Sequence, residues 1–131
     1  MTLEEIDRAL PEELHDAQLR GLTRDFENAV VTLLVRVVVG IVNDGTSQLE
    51  YRNGEIIFTG VQYFTSEWPD ADSAFRDSGC VWFSYAPTED GVIPRDVDLL
   101  VGVSAHRYSF FVREWFASFH IAALEISFKW S

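Results

Sequence analysis

The longest apolar run in the sequence is residues 29–42, AVVTLLVRVVVGIV, which only Thr32, Arg36 and Gly40 interrupt. Seven of its fourteen residues are valine, and β-branched side chains suit a pleated strand because their χ1 rotation is restricted. The run is shorter than the ~20 residues of a membrane-spanning helix and has Arg36 at its middle. We therefore predict a long, twisted, largely buried strand that bends at Gly40, with Arg36 reaching an edge, a carboxylate or solvent.

The segments before this run have different patterns. Residues 2–10 have apolar side chains at helical spacing, and Thr2 is in position to cap a helix that Pro11 then interrupts. This predicts a short N-terminal helix. Residues 14–26 show an imperfect apolar alternation, which predicts a strand that forms a hairpin with the valine-rich run.

Asn53-Gly54 is the strongest turn signal downstream of the run, following a first turn signal at residues 43–46. A type I′ turn needs positive φ at both central positions, and Asn-Gly between alternating segments is the usual solution. We therefore predict a hairpin with residues 49–52 as one strand and residues 55–64 as the other.

The pattern of the C-terminal half predicts further strands, with a loop over residues 86–96 between the first of them and the rest. We predict strands at residues 80–85, 97–103 and 107–112. Residues 115–126 fit either a strand or a helix. The strand is preferred because β-branched and aromatic residues dominate and the last residues alternate, with a bulge near residues 122–123 joining two phases.

These elements predict a single domain over residues 1–131, of the α+β class and mainly β. Its expected form is an antiparallel curled sheet, a sandwich or a half-barrel, with a short N-terminal helix. The composition is 47% hydrophobic and 14% aromatic, which supports a core without disulfides.

The formal net charge of −11 narrows the function classes. Nucleic acids and anionic membrane surfaces require clustered positive charge, so both are excluded, whereas a basic protein partner is compatible. The single Cys80 forms no internal disulfide, and the acidic N-terminus lacks a secretory pattern, so a cytoplasmic location is the default expectation.

The candidate chemistry is sparse, because the sequence contains no CxxC, HExxH or glycine-rich phosphate motif. No metal, cofactor or catalytic residue is predicted, and these absent motifs favour a non-enzymatic protein over an enzyme. The scattered His15, His106 and His120 are interpreted as structural, and the apolar neighbours of Cys80 indicate a buried, inert thiol.

One acidic segment has the composition of a protein-binding site. It contains Glu67, Trp68, Asp70, Asp72 and Asp77. Such a segment would meet a basic surface with the tryptophan as its anchor. The alternative is a solvated loop whose tryptophan folds back on the core.

The segment Leu14-His15-Asp16-Ala17, with apolar residues continuing after it, resembles the opening signature of a group of small uncharacterised bacterial proteins. The late region, from residue 107 to a final strand ending in Trp130, is also similar to theirs. Some of that group look like immunity proteins of polymorphic toxin systems. The resemblance implies a compact, mainly β cytoplasmic domain that binds protein, with a structural role for residues 14–17.

Three functional hypotheses follow. The first is a non-enzymatic, acidic interaction module, of the immunity type, that neutralises a basic partner. The second is a small-molecule-binding or enzymatic half-barrel with a pocket lined by Trp82, Phe83 and Tyr85. The third is a structural homo-oligomer built through an exposed sheet face or edge.

Overall fold

The computed structural model describes residues 1–41, 48–67, 81–113 and 117–131. Within these ranges the elements in chain order are α1 (Leu3–Ala9), β1 (Gln18–Asp25), β2 (Val30–Ile41), β3 (Leu49–Ser66), β4 (Val81–Pro87), α2 (Arg95–Asp98), β5 (His106–Val112) and β6 (Ala117–Trp130). All strand pairs are antiparallel. The prediction of a mainly antiparallel β domain with a short N-terminal helix is confirmed.

The sheet curls until its two outer strands meet, so the described strands form one closed barrel in the order β1-β2-β3-β6-β5-β4. Among the described residues, two pairs close the barrel between β1 and β4, Gln18 with Trp82 and Leu19 with Val81. The predicted sandwich or half-barrel is not confirmed, because the described strands form one closed sheet.

Helix α1 packs against the barrel at the end where β1 begins. Thr2 caps it in a capping box with Glu5, as the sequence predicted, and Leu3 and Ile6 are buried against the barrel core. The chain then turns through residues 11–16, where Glu13 and Asp16 have positive φ. The predicted strand over residues 14–26 therefore begins later, at Gln18.

Two tyrosines bind the helix to the barrel. The Tyr85 hydroxyl donates to the Asp7 carboxylate at 2.6 Å. The Tyr108 hydroxyl donates to Glu4 and accepts the Leu3 backbone N–H at 3.2 Å. Burial, followed by the hydrogen bond to Asp7, raises the pKa of Tyr85. Burial and the hydrogen bond to Glu4 raise the pKa of Tyr108 to about 12, so both hydroxyls keep their protons at neutral pH.

Aromatic side chains fill the middle of the barrel. Phe110 lies at the centre, parallel to Phe119 with 4.8 Å between ring centroids, and edge-on to Phe58 at 6.0 Å. Such offset and edge-to-face pairs add to the stabilisation that burial provides. The interior is therefore a packed core.

The valine-rich run is the second strand of the barrel, as predicted, and it lies between β1 and β3. Val31, Leu33, Val35 and Val37 alternate into the core. The β2–β3 ladder shifts register between Val38 and Gly40, which confirms the predicted bend. Arg36 faces outward, where it donates to the Gln18 side chain at 3.3 Å and stacks on Tyr51 at 4.6 Å.

The predicted hairpin at Asn53-Gly54 is wrong, because both residues lie inside the continuous strand β3. Gly54 pairs with Val35 on one side and with Trp130 on the other. A Cβ atom at Gly54 would lie 2.5 Å from Cζ of Phe128. The glycine therefore makes room for an aromatic ring from the neighbouring strand, and the turn signal has a packing origin.

The strand predicted over residues 97–103 is also wrong. Helix α2 follows Pro94, and Val97 in the helix and Val101 in the turn after it both pack inward against Ala122 and its neighbours. The strand preferred over a helix for residues 115–126 is confirmed from residue 117 onward. Its inward face changes phase after Ala123, close to the predicted bulge, and Leu124 is exposed. Residues 43–46, 80 and 114–116 lie outside the described residues.

Candidate functional site

The connection between β4 and β5 packs on the outer face of the barrel. Ile93, Val101 and Ala105 are buried against Ala122 of β6, with Val97 beside them. These contacts form a small second core outside the barrel. The connection is therefore a fixed part of the surface around which a site can be built.

Arg107 of β5 holds this connection in place. Its Nε donates to Asp98 at 3.1 Å, while its two terminal nitrogens donate to the backbone carbonyls of Ala105 and Val101, both at 3.3 Å. From the other side, the Gly102 N–H donates to the Gln62 side chain of β3 at 2.7 Å. Charge-assisted bonds of this kind are stronger than neutral ones, so the connection is held from both sides.

Three large apolar side chains project from this fixed connection into solvent. Leu99 is 75% exposed, Leu100 84% and Val103 101%. We call these three residues the apolar ridge. Single exposed apolar residues are ordinary, whereas a cluster on a rigid support marks an interaction site. The sequence did contain a signal for the ridge, because Val97 and Val101 at helical spacing place Leu99 and Leu100 on the opposite side.

Acidic side chains occur in the same β4–β5 connection as the ridge. Asp96 lies on α2, and Glu89, Asp90 and Asp98 line a neighbouring cleft of about 690 Å³. Arg95 and Arg107 also line the cleft, and Arg107 pairs with Asp98. The four carboxylates outnumber the two guanidinium groups, so the connection that carries the ridge is negatively charged, and we call these four acidic residues the acidic margin.

Only Glu67 of the predicted acidic segment is among the described residues. Glu67 is exposed, and its backbone N–H donates to the Ser118 carbonyl at 2.9 Å. Trp68, Asp70, Asp72 and Asp77 lie outside the described residues, so their predicted role in partner binding stays a prediction.

The signature residues divide between the core and the surface. Leu14 and Ala17 are buried in the main core, and the Leu14 N–H donates to the Asp7 carboxylate. His15 and Asp16 are exposed within a turn, with 3.6 Å between His15 Nε2 and Asp16 Oδ2. The predicted strand over residues 14–26 would direct adjacent side chains to opposite faces, whereas the turn at residues 11–16 brings these two together.

A hydroxyl–imidazole pair lies on the outer face of β5 and β6, and the sequence did not predict it. Ser109 Oγ is 2.7 Å from His120 Nδ1, and it donates to the Thr88 hydroxyl at 3.0 Å. Burial lowers the pKa of His120, and the charge of Glu67 opposes this effect. Nucleophilic catalysis also needs donors for a developing oxyanion. The nearby Thr88 N–H is already donated to the Arg107 carbonyl, so we assign the pair a role in sheet stability.

The predicted aromatic pocket is only partly assembled. Phe83 and Tyr85 pack on Phe110 in the core, with ring centroids 6.1 and 6.4 Å away. Trp82 faces outward and stacks under Arg113 at 5.2 Å. Trp82 and Phe83 line a shallow surface cleft of about 230 Å³, and the three predicted residues do not form one inward-facing pocket.

Comparison with known proteins finds no family model, no curated protein and no solved structure that matches this chain. The resemblance at residues 14–17 therefore stays a prediction. Among the described residues, no group of three or more metal-ligating side chains is arranged to hold an ion. The described helices are all too short to cross a bilayer.

Proposed function

We propose that this chain is a non-enzymatic protein-interaction module that binds a basic partner protein through the apolar ridge and its acidic margin. The observation that carries the proposal is the exposure of Leu99, Leu100 and Val103 on a connection that Arg107 and a second core hold in place. An interface of this kind has an apolar centre and a polar rim.

The ridge can supply most of the binding energy. Burying a leucine or valine side chain is worth about 1.5–3 kcal/mol relative to leaving it in water. Interfaces usually depend on a few such residues, and losing one costs about 2 kcal/mol or more. Because the ridge is already fixed in the free protein, little additional ordering is needed on binding.

The acidic margin sets the class of partner. A charge of −11 repels acidic proteins and speeds the approach of basic ones, and salt weakens this steering. In the immunity-type form of the proposal, the partner is a toxin whose basic surface the ridge covers. That form rests on the resemblance of residues 14–17.

The proposal is tested by fluorescence anisotropy with a labelled amphipathic lysine–leucine peptide as the probe. We expect binding that weakens as salt is raised from about 50 to about 500 mM, because the Debye length shortens. A lysine–glutamine peptide of the same length and charge should bind at least about tenfold more weakly, since it lacks the apolar contacts.

The variant with Leu99→Ser, Leu100→Ser and Val103→Ser should lose at least about tenfold in affinity. The control replaces Ile41 and Leu49, which are also exposed but lie away from the ridge, with serine. Equal binding by both variants would contradict the ridge as the site. The immunity-type form predicts that co-production with the toxin encoded beside it restores growth, and that the ridge variant does not.

A further inference from the structure

A second cleft lies at the end of the barrel opposite α1. There β1 turns into β2, while β3 runs past the turn. Its volume is about 200 Å³. The walls are mainly apolar, with Phe26, Val30, Val61 and Phe64 among them, and their polar residues are Arg24, Asp25, Gln62 and Tyr63. We call it the mouth cleft, and it is separate from the apolar ridge.

The mouth cleft is built before any ligand arrives. The Val61 N–H donates to the Ala29 carbonyl at 2.9 Å, which ties the β1–β2 turn to β3. Ala29 has φ of 55° and Gly60 has φ of 61°. An alanine in the left-handed region persists only where surrounding contacts enforce it, and such residues cluster at binding sites.

Arg24 is the one basic side chain among the described residues that line this mainly apolar cleft. The Arg24 Cζ lies 5.6 Å from the ring centroid of Phe26 and 5.5 Å from that of Phe64. Stacking on the rings uses the faces of the guanidinium, whereas its N–H donors point outward in its plane.

The nearest carboxylate does not occupy these donors. Both oxygens of Asp25 accept from Asn28, one from its backbone N–H at 3.1 Å and one from its side-chain amide at 2.7 Å. Among the described residues, no carboxylate lies within ion-pair distance of Arg24. Arg24 thus lines the cleft beside apolar walls, and its guanidinium can donate to a bound anion.

We propose that the mouth cleft binds a small aromatic monocarboxylate, with its ring between Val30, Val61 and Phe64 and its carboxylate on Arg24. A guanidinium matches a carboxylate through two parallel hydrogen bonds. A volume of about 200 Å³ suits one ring and a short acidic side chain, since a cavity of about 150 Å³ holds benzene.

The test uses phenylacetate as the probe, with binding followed by amide chemical shifts of ¹⁵N-labelled protein. We expect millimolar affinity, as is usual for so small a ligand, and shifts concentrated at residues 24–31 and 61–64. Phenylacetamide, its neutral counterpart, should bind about tenfold more weakly or worse on the same wild-type protein, because it lacks the charge-assisted pair.

Arg24→Gln should weaken phenylacetate binding about tenfold or more and leave phenylacetamide binding unchanged. Arg52→Gln is the matched control, because Arg52 also stacks on an aromatic ring, Trp130, at 4.6 Å but lies outside the cleft; it should bind like wild type. Equal affinity for the acid and the amide, absence of binding, or shifts elsewhere on the barrel would each overturn the proposal. The comparison of the two ligands on wild-type protein holds even if Arg24→Gln does not fold.

Discussion

Gly54→Ala is the sharpest test of how the barrel packs. A Cβ at this position would lie 2.5 Å from Cζ and 2.8 Å from Cε2 of Phe128, and 3.3 Å from the Lys129 carbonyl oxygen. Carbon atoms pack best at about 3.5–4.0 Å, so the Phe128 ring must move. That ring packs edge-on against Trp130 at 4.9 Å and against the main core, so moving it loses contacts.

The expected size follows from two opposing effects. Overpacking of this kind costs about 1–3 kcal/mol. Alanine in place of glycine in an extended strand recovers about 0.5–1 kcal/mol, because the unfolded chain has less freedom to lose. We therefore expect Gly54→Ala to lower the free energy of unfolding by about 0–2.5 kcal/mol, measured by urea denaturation.

The decisive measurement is the same substitution in a Phe128→Ala background. Without the ring, the clash is removed, and Gly54→Ala should become neutral or stabilising. Gly21→Ala is the control, since its Cβ would meet only Leu34 at an ordinary 3.5 Å, and its effect should be equal in both backgrounds. If Gly54→Ala destabilises equally with and without Phe128, the explanation by the Phe128 ring is refuted, and the 3.3 Å approach to the Lys129 carbonyl oxygen becomes the cause.

Two further predictions concern the tyrosines that hold α1. Tyr85→Phe removes the donor to Asp7 and should lower the free energy of unfolding, measured by urea denaturation, by about 1–3 kcal/mol. Ser84→Ala on the exposed face is the control and should lower it by less than about 0.5 kcal/mol. Equal losses in the two variants would contradict a stabilising role for the hydrogen bond between Tyr85 and Asp7. The pKa of Tyr108 is about 12 in the folded protein, above the ~10 of an unfolded chain. Its contribution to stability is therefore complete below pH 10 and is lost as the pH rises from 10 through 12. Tyr108→Phe should show a smaller loss over that range, and identical pH profiles would refute this reasoning.

The predictions that rest on local patterning are confirmed. They include capping by Thr2, the alternation in β2 and the apolar residues of β5. Each of these depends on whether a side chain lies in the core or in water. Burial and exposure alternate with the period of the helix or strand, so several positions in one element support the same prediction. The fraction of apolar residues that one core needs is likewise known from the composition alone.

The errors arise where distant residues decide the outcome. Asn53-Gly54 has the chemistry of a turn, but pairing with β2 and β6 on both sides and the ring of Phe128 make it part of a strand. Residues 97–103 are apolar enough for a strand, yet α2 and the turn after it pack Val97 and Val101 inward and leave Leu99 and Leu100 in solvent. Tertiary contacts overrode the local preference in both places.

The sequence by itself therefore determined the class of the domain, its acidic charge and the positions of most strands. Only the tertiary structure decided that the sheet closes, that the apolar ridge faces water and that Arg24 stacks between Phe26 and Phe64. Closure depends on Gln18 meeting Trp82, and the mouth cleft depends on Arg24 meeting Phe64. Such contacts join residues far apart in the chain, and they leave no periodic trace in the local pattern of hydrophobic and polar positions.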